Sequence, residues 1–129
     1  LQLQDQHVLI LGLGASGLAM ARWCARAGAQ LTVADTRAEP PGLAALQQEW
    51  PDVNFVSGPL VAELVTGTTV RVVYAALAWH RQREALRAAM LQAGFAQHPN
   101  EWWHFSHGDQ LWAWQQQQPL AIYGRWQGG

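Results

Sequence analysis

The sequence contains no lysine. All 8 of its Lys/Arg-type cations are arginine, set against 9 acids, for a formal net charge of -1. That balance offers no basic face for nucleic acid and no cationic anchor for a membrane, so neither is expected as a partner. Without lysine there is also no G-x-x-x-x-G-K-[ST] phosphate loop, and no ATP site is expected. Cysteine is nearly absent: Cys24 stands alone and cannot form an internal disulfide, which points to a reducing compartment and a cytoplasmic location. No apolar run reaches membrane-spanning length, and the N-terminus shows no signal-peptide pattern. Charged residues make up only 13% and hydrophobic ones 50%, the composition of a folded chain rather than a disordered one. Position 1 is Leu rather than Met, from which a fragment or an excised piece is expected. A chain of 129 residues can bury one ordinary core, or two partial ones.

What is present in residues 1–65 alternates strand with helix. His7 to Leu11 (HVLIL) is a continuous apolar run, as in a parallel strand buried on both faces. Helical spacing follows over Leu18 to Ala27 and ends at Gly28. Leu31 to Ala34 and Val53 to Val56 read as strands, with short helices at Leu43 to Trp50 and Pro59 to Val65. Thr68 to Tyr74 is β-branched and offers a fourth strand. The pattern predicts an α/β fold with a Rossmann-like parallel sheet, followed by a C-terminal helix and short aromatic β-strands. That helix is expected at Trp79 to Ala93, with Leu86, Ala89, Met90 and Ala93 on its apolar side. Strands are expected at Glu101 to Phe105, Leu111 to Trp114 and Pro119 to Tyr123. Trp102, Trp103, Trp112 and Trp114 require burial, or they would form an aggregation-prone patch.

Two motifs carry chemistry. Gly12-x-Gly14-x-x-Gly17 follows a strand and opens a helix, where glycines permit a tight turn and free N–H groups attract a pyrophosphate. Asp35 closes the second strand, where a dinucleotide fold places its ribose acceptor. The alternative is a glycine turn that only packs the helix. The run GLGASGLA, then VADTRAEPPGL, then SGPL resembles the N-terminal domain of the UDP-N-acetylmuramoylalanine D-glutamate ligases of peptidoglycan synthesis, over residues 4–65. This resemblance implies that Gly14, Ala15, Ser16 and Gly17 face the diphosphate of a UDP-sugar. It also implies that Asp35, Thr36 and Arg37 face the uracil end, although Arg37 reads equally as a solvated turn residue. The ligase reaction needs ATP-binding and amino-acid domains that these residues do not supply.

The second motif is Glu101-Trp102-Trp103-His104. Together with WHRQREALRAAMLQAGF before it and AIYG after it, this motif resembles the C-terminal part of the zinc D-alanyl-D-alanine dipeptidases, over residues 79–124. There the resemblance implies that Glu101 is the general base and acid, and that His104 is a zinc ligand. Residues three apart in a strand point to opposite faces, so both reach one metal only across a bend or bulge. A catalytic zinc takes three protein ligands and a water. The upstream Ser-x-His-x-x-Gly-x-Ala-x-Asp segment that supplies two of them in that family has no match in residues 1–100. His80, His98 and His107 have no motif that makes them ligands, Asp109 qualifies only by proximity, and a lone histidine among aromatics such as His104 is more often a packed, hydrogen-bonded residue than a ligand.

The expected layout is a UDP-sugar-binding segment at 1–65, a junction at 66–78 and a partial metallopeptidase-like segment at 79–129. Three readings stay open: a partial dipeptidase acting on D-Ala-D-Ala, a module binding UDP-N-acetylmuramoyl-L-alanine, and a recombined or truncated product without activity. The dipeptidase is the leading label, because its segment includes residues that would do chemistry. As regards activity, the third reading comes first, because zinc ligands are missing.

Overall fold

In a computed structural model of the chain, residues 3–76, 80–119 and 121–122 are described. Four parallel strands form the N-terminal part of one sheet: β1 (His7–Leu11), β2 (Gln30–Asp35), β3 (Asn54–Ser57) and β4 (Val70–Ala75). Between them lie α1 (Ala15–Arg26), α2 (Leu43–Glu49) and a single 3-10 turn at Ala62–Leu64. After α3 (His80–Gln92), β5 (Ala96–Gln97) and β6 (His104–Ser106) extend the same sheet, and α4 (Gln110–Gln115) follows. The strand order is β3-β2-β1-β4-β6-β5, with β6 antiparallel to both β4 and β5. β4 lies within the expected junction, yet it pairs with β1 on one side and β6 on the other.

Alternation along the central strands divides the core into two layers. On β1, Leu9 and Leu11 join Val73, Leu86, Met90 and Phe105 on the α3 face. Val8 and Ile10 join Ala21, Cys24, Val33 and Leu46 on the face covered by α1 and α2. This period of two within a continuous apolar run is what a sheet covered on both faces requires. Each buried Leu or Ile contributes about 1.5–3 kcal/mol. Trp103 packs against both layers. Burial in the second layer pushes the Cys24 thiol up to about 11, leaving it inert.

Several sequence expectations need correction. Leu111 to Trp114 is helical, as part of α4, because Asp109 caps it: Oδ1 accepts the Trp112 N–H at 2.8 Å. Its aromatic content mimicked a strand, but strand preference depends on context. Of Glu101 to Phe105, only the last two residues are in a strand; Glu101–Trp103 is a turn closed by the His104 N–H donating to the Glu101 carbonyl at 3.0 Å. Pro59 to Val65 makes only the one 3-10 turn. Ala121 and Ile122 are not in a strand, while Trp79, Leu120 and Tyr123 lie outside the described residues. Trp102, Trp103 and Trp112 are half-buried, but Trp114 is 74% exposed.

Candidate functional site

The glycine loop sits at the C-terminal end of β1, beside the point where the strand order reverses between β2 and β4. Gly12 has a left-handed φ of 88° and donates to the Ala34 carbonyl at 2.8 Å, which fixes the turn to β2. A Cβ on Gly17 would lie 1.7 Å from the Gly12 carbonyl oxygen, so close packing of helix on turn requires glycine there. Gly14 is different. Its backbone is extended, and among the described residues a Cβ on it would meet nothing within 4 Å. Packing among the described residues does not demand this glycine. Gly14 is also the N-cap of α1, with no side-chain cap, so the N–H groups of the first turn point outward at the positive end of the helix. Ala15 and Ser16 are exposed.

Asp35, at the end of β2, is only 3% exposed and accepts four hydrogen bonds. Oδ2 takes the Leu13 N–H at 2.8 Å and Arg37 Nη2 at 2.9 Å; Oδ1 takes the Arg37 N–H at 2.8 Å and Nε at 3.0 Å. Burial alone would raise its pKa, but the Arg37 and Leu13 donors outweigh burial and hold it at about 2. Leu13 is gripped a second time, because the Gly42 N–H donates to its carbonyl at 2.9 Å. The Asp-Thr-Arg-Ala-Glu-Pro-Pro-Gly run thus fastens the glycine loop from both ends. Thr36 is exposed, and the Arg37 side chain, 53% exposed, presents its guanidinium to solvent. Neither Leu13 nor Gly42 was picked out by sequence reasoning, although the Pro-Pro-Gly turn was a usable signal for the second.

The Glu101–Trp103 turn brings its acid and histidine together. Glu101 Oε2 lies 2.9 Å from His104 Nδ1, so the turn supplies the bend that the three-residue spacing needs. With Nδ1–H donated to the carboxylate, Nε2 of a neutral imidazole is an acceptor; it is buried and has no hydrogen-bond partner among the described residues. Tyr74 lies against the ring at 5.0 Å, and His98 stacks on it at 5.4 Å. One orphaned imidazole nitrogen is a fitting zinc donor, but a catalytic site needs three. Among the described residues, no group of three or more His, Cys, Asp or Glu side chains could hold a metal ion. Asp109 is committed to its cap, and His107 packs against Phe95 and Trp112. The described donors therefore do not make up a catalytic zinc site.

The two motifs are neighbours. The Ala75 N–H at the end of β4 donates to the Trp103 carbonyl at 2.7 Å, which seats the turn beside the β1–β4 crevice. A cleft of about 380 Å³ there is lined by Ser16, Met20, Ala75, Ala76, Arg83, Trp102 and Trp103. Arg83 lies over the Trp102 ring at 3.9 Å.

A mostly parallel sheet with a glycine turn into α1 and a buried acid ending β2 defines a Rossmann-like α/β domain. More narrowly, the chain belongs to the family of Mur ligase MurD-like N-terminal domains, whose family model matches residues 6–93. A second model, of the D-ala-D-ala dipeptidases, matches residues 67–122 and overlaps the first across β4 and α3. Curated relatives are UDP-N-acetylmuramoylalanine--D-glutamate ligases. That of Albidiferax ferrireducens is 72% identical over 72 residues, 56% of this chain and 14% of the relative. Those of a Polaromonas species and Burkholderia ambifaria are 67% and 62% identical, over 56% and 50% of this chain and 12% and 13% of their own lengths. The chain thus spans about one-seventh of these relatives. Among the described residues, no helix is long and apolar enough to cross a membrane.

Proposed function

We propose that the chain is a uridine-diphosphate-sugar-binding module, with UDP-N-acetylmuramoyl-L-alanine as its ligand. The observation that carries this reading is Gly14, a glycine that packing among the described residues does not need, at the N-terminus of a 12-residue helix without a side-chain cap. In this reading the N–H groups of Ala15, Ser16 and Gly17 receive the diphosphate, and the Ser16 hydroxyl adds a donor. Asp35 acts mainly as a positioning residue: its four acceptor positions are filled from within, and it holds Leu13 and Arg37 in place. Thr36 and the outer edge of Arg37 then meet the uracil carbonyls, a role suited to a guanidinium. Saturation with the ligand should raise the melting temperature by several degrees, as binding to the folded state alone demands. An unchanged melting temperature would argue against the reading.

A second reading rests on the Glu101–His104 hydrogen bond and the dipeptidase match. In it, Glu101 would accept a proton from the attacking water and return it to the leaving amine of D-Ala-D-Ala, with His104 as a zinc ligand. Zinc, when bound in such a site, supplies Lewis-acid activation of water. With one histidine in place, this chain is expected to bind zinc weakly and to release no alanine above a metal-only background. A stoichiometric nanomolar site lost in His104→Ala would reverse that expectation. An inactive recombined product is the remaining reading, and absence of both ligand responses would favour it.

A further inference from the structure

A second cleft, of about 280 Å³, shares Met20 and Trp103 with the first and is also lined by Trp23, Tyr74 and Glu101. Three elements meet there: α1 gives Met20 and Trp23, β4 gives Tyr74, and the turn before β6 gives Glu101 and Trp103. Trp23 is 55% exposed, and its ring meets Tyr74 nearly edge-on, with centroids 6.4 Å apart at 76°. Glu101 is 40% exposed at its side chain; His104 holds Oε2, and Oε1 has no partner among the described residues. Among the described residues, none that lines it is basic.

Three aromatic rings, a polarizable thioether and one carboxylate form the chemistry that selects an organic cation. Ring quadrupoles attract alkylated ammonium groups, and the carboxylate adds a counter-charge. An anion would be repelled by Glu101. A hard metal ion would find one carboxylate where it needs six or so oxygen ligands. We propose that this cleft binds a small organic ammonium ion, held among Trp23, Tyr74 and Trp103 and paired with Glu101. Met20 and Trp23 lie outside the residues that match the dipeptidase model, and Glu101 and Trp103 lie outside those that match the Mur ligase model. The site therefore arises only where the two segments meet, and it does not depend on the diphosphate reading of the glycine loop.

The test is a titration of the full chain with choline, followed by tryptophan fluorescence, beside its neutral isostere in which carbon replaces the quaternary nitrogen. Choline is expected to saturate with a Kd of about 1–10 mM. The isostere should bind about tenfold more weakly, since it keeps the shape and loses the charge. Trp23→Ala and Glu101→Gln should each weaken choline binding by about three- to tenfold. Trp23 is largely exposed, so Trp23→Ala should melt within a few degrees of the parent, which separates loss of the site from loss of the fold. Equal affinity for choline and its isostere, an absence of saturation, or unchanged binding in both variants would overturn the proposal.

Discussion

The Asp35 carboxylate accepts the Leu13 backbone N–H across the top of the sheet at 2.8 Å. The end of β2 thereby holds the turn that leaves β1. Replacing this acid with its amide removes the charge that four donors share and directs an N–H toward one of them. Asp35→Asn should destabilise the chain by about 2–3 kcal/mol in urea unfolding, because donors to a buried carboxylate are left poorly matched.

The same carboxylate sets an acid limit. An unfolded aspartate titrates near pH ~3.9, and the folded one at about 2. A depressed folded pKa gives stability that is present above the unfolded value and lost as pH falls through the folded one. Asp35 should therefore contribute about 2 kcal/mol near neutrality, fading between roughly pH 5 and pH 2. Burial, aided by Arg71, also lowers His7 and His107. For these the unfolded chain takes the proton first, so stability should begin to fall below about pH 6.5. Urea midpoints measured across this range should decline in two stages, and Asp35→Asn should flatten the more acidic one.

The glycines of the loop should separate by role. Gly17→Ala places a methyl group against the Gly12 carbonyl and should cost about 3 kcal/mol or more, read as a large drop in melting temperature. Gly14→Ala meets none of the described residues within 4 Å and should cost about 1 kcal/mol or less, from the weaker cap. If both variants were equally stable, the close approach at Gly17 would be wrong.

Asp109 provides the cap of a helix that begins in an aromatic-rich stretch. Asp109→Ala should lower stability by about 1 kcal/mol, and Asp109→Ser should restore most of it. A dependence on metal rather than on capping chemistry would instead point to Asp109 as a ligand.

Much of the fold was legible because its signals are local. The HVLIL run, the glycine turn and the helix after it need only neighbours in sequence, and β1, α1 and β2 fall close to where spacing and composition put them. Leu111 to Trp114 misled because aromatic content suits a strand, while the Asp109 cap, visible in the sequence, was the stronger cue. The contact between Ala75 and Trp103 could not be read at all. It joins residues distant in the chain, through backbone groups that carry no side-chain signature. At the site, the resemblance picked out Asp35 and Arg37, but the internal bonds between them depend on the fold. The Glu101–His104 contact likewise depends on a turn that strand periodicity could not foresee.

The proposed diphosphate site in the glycine loop is decided by calorimetric titration of the chain with UDP-N-acetylmuramoyl-L-alanine, with Gly14→Ala alongside. Saturable one-to-one binding to the parent chain is expected. In the folded Gly14→Ala variant, whose new methyl group occupies the approach to the helix N-terminus, binding should fall by about tenfold or more. Absence of binding to the parent at about 1 mM ligand, or equal affinity in the variant, would contradict it.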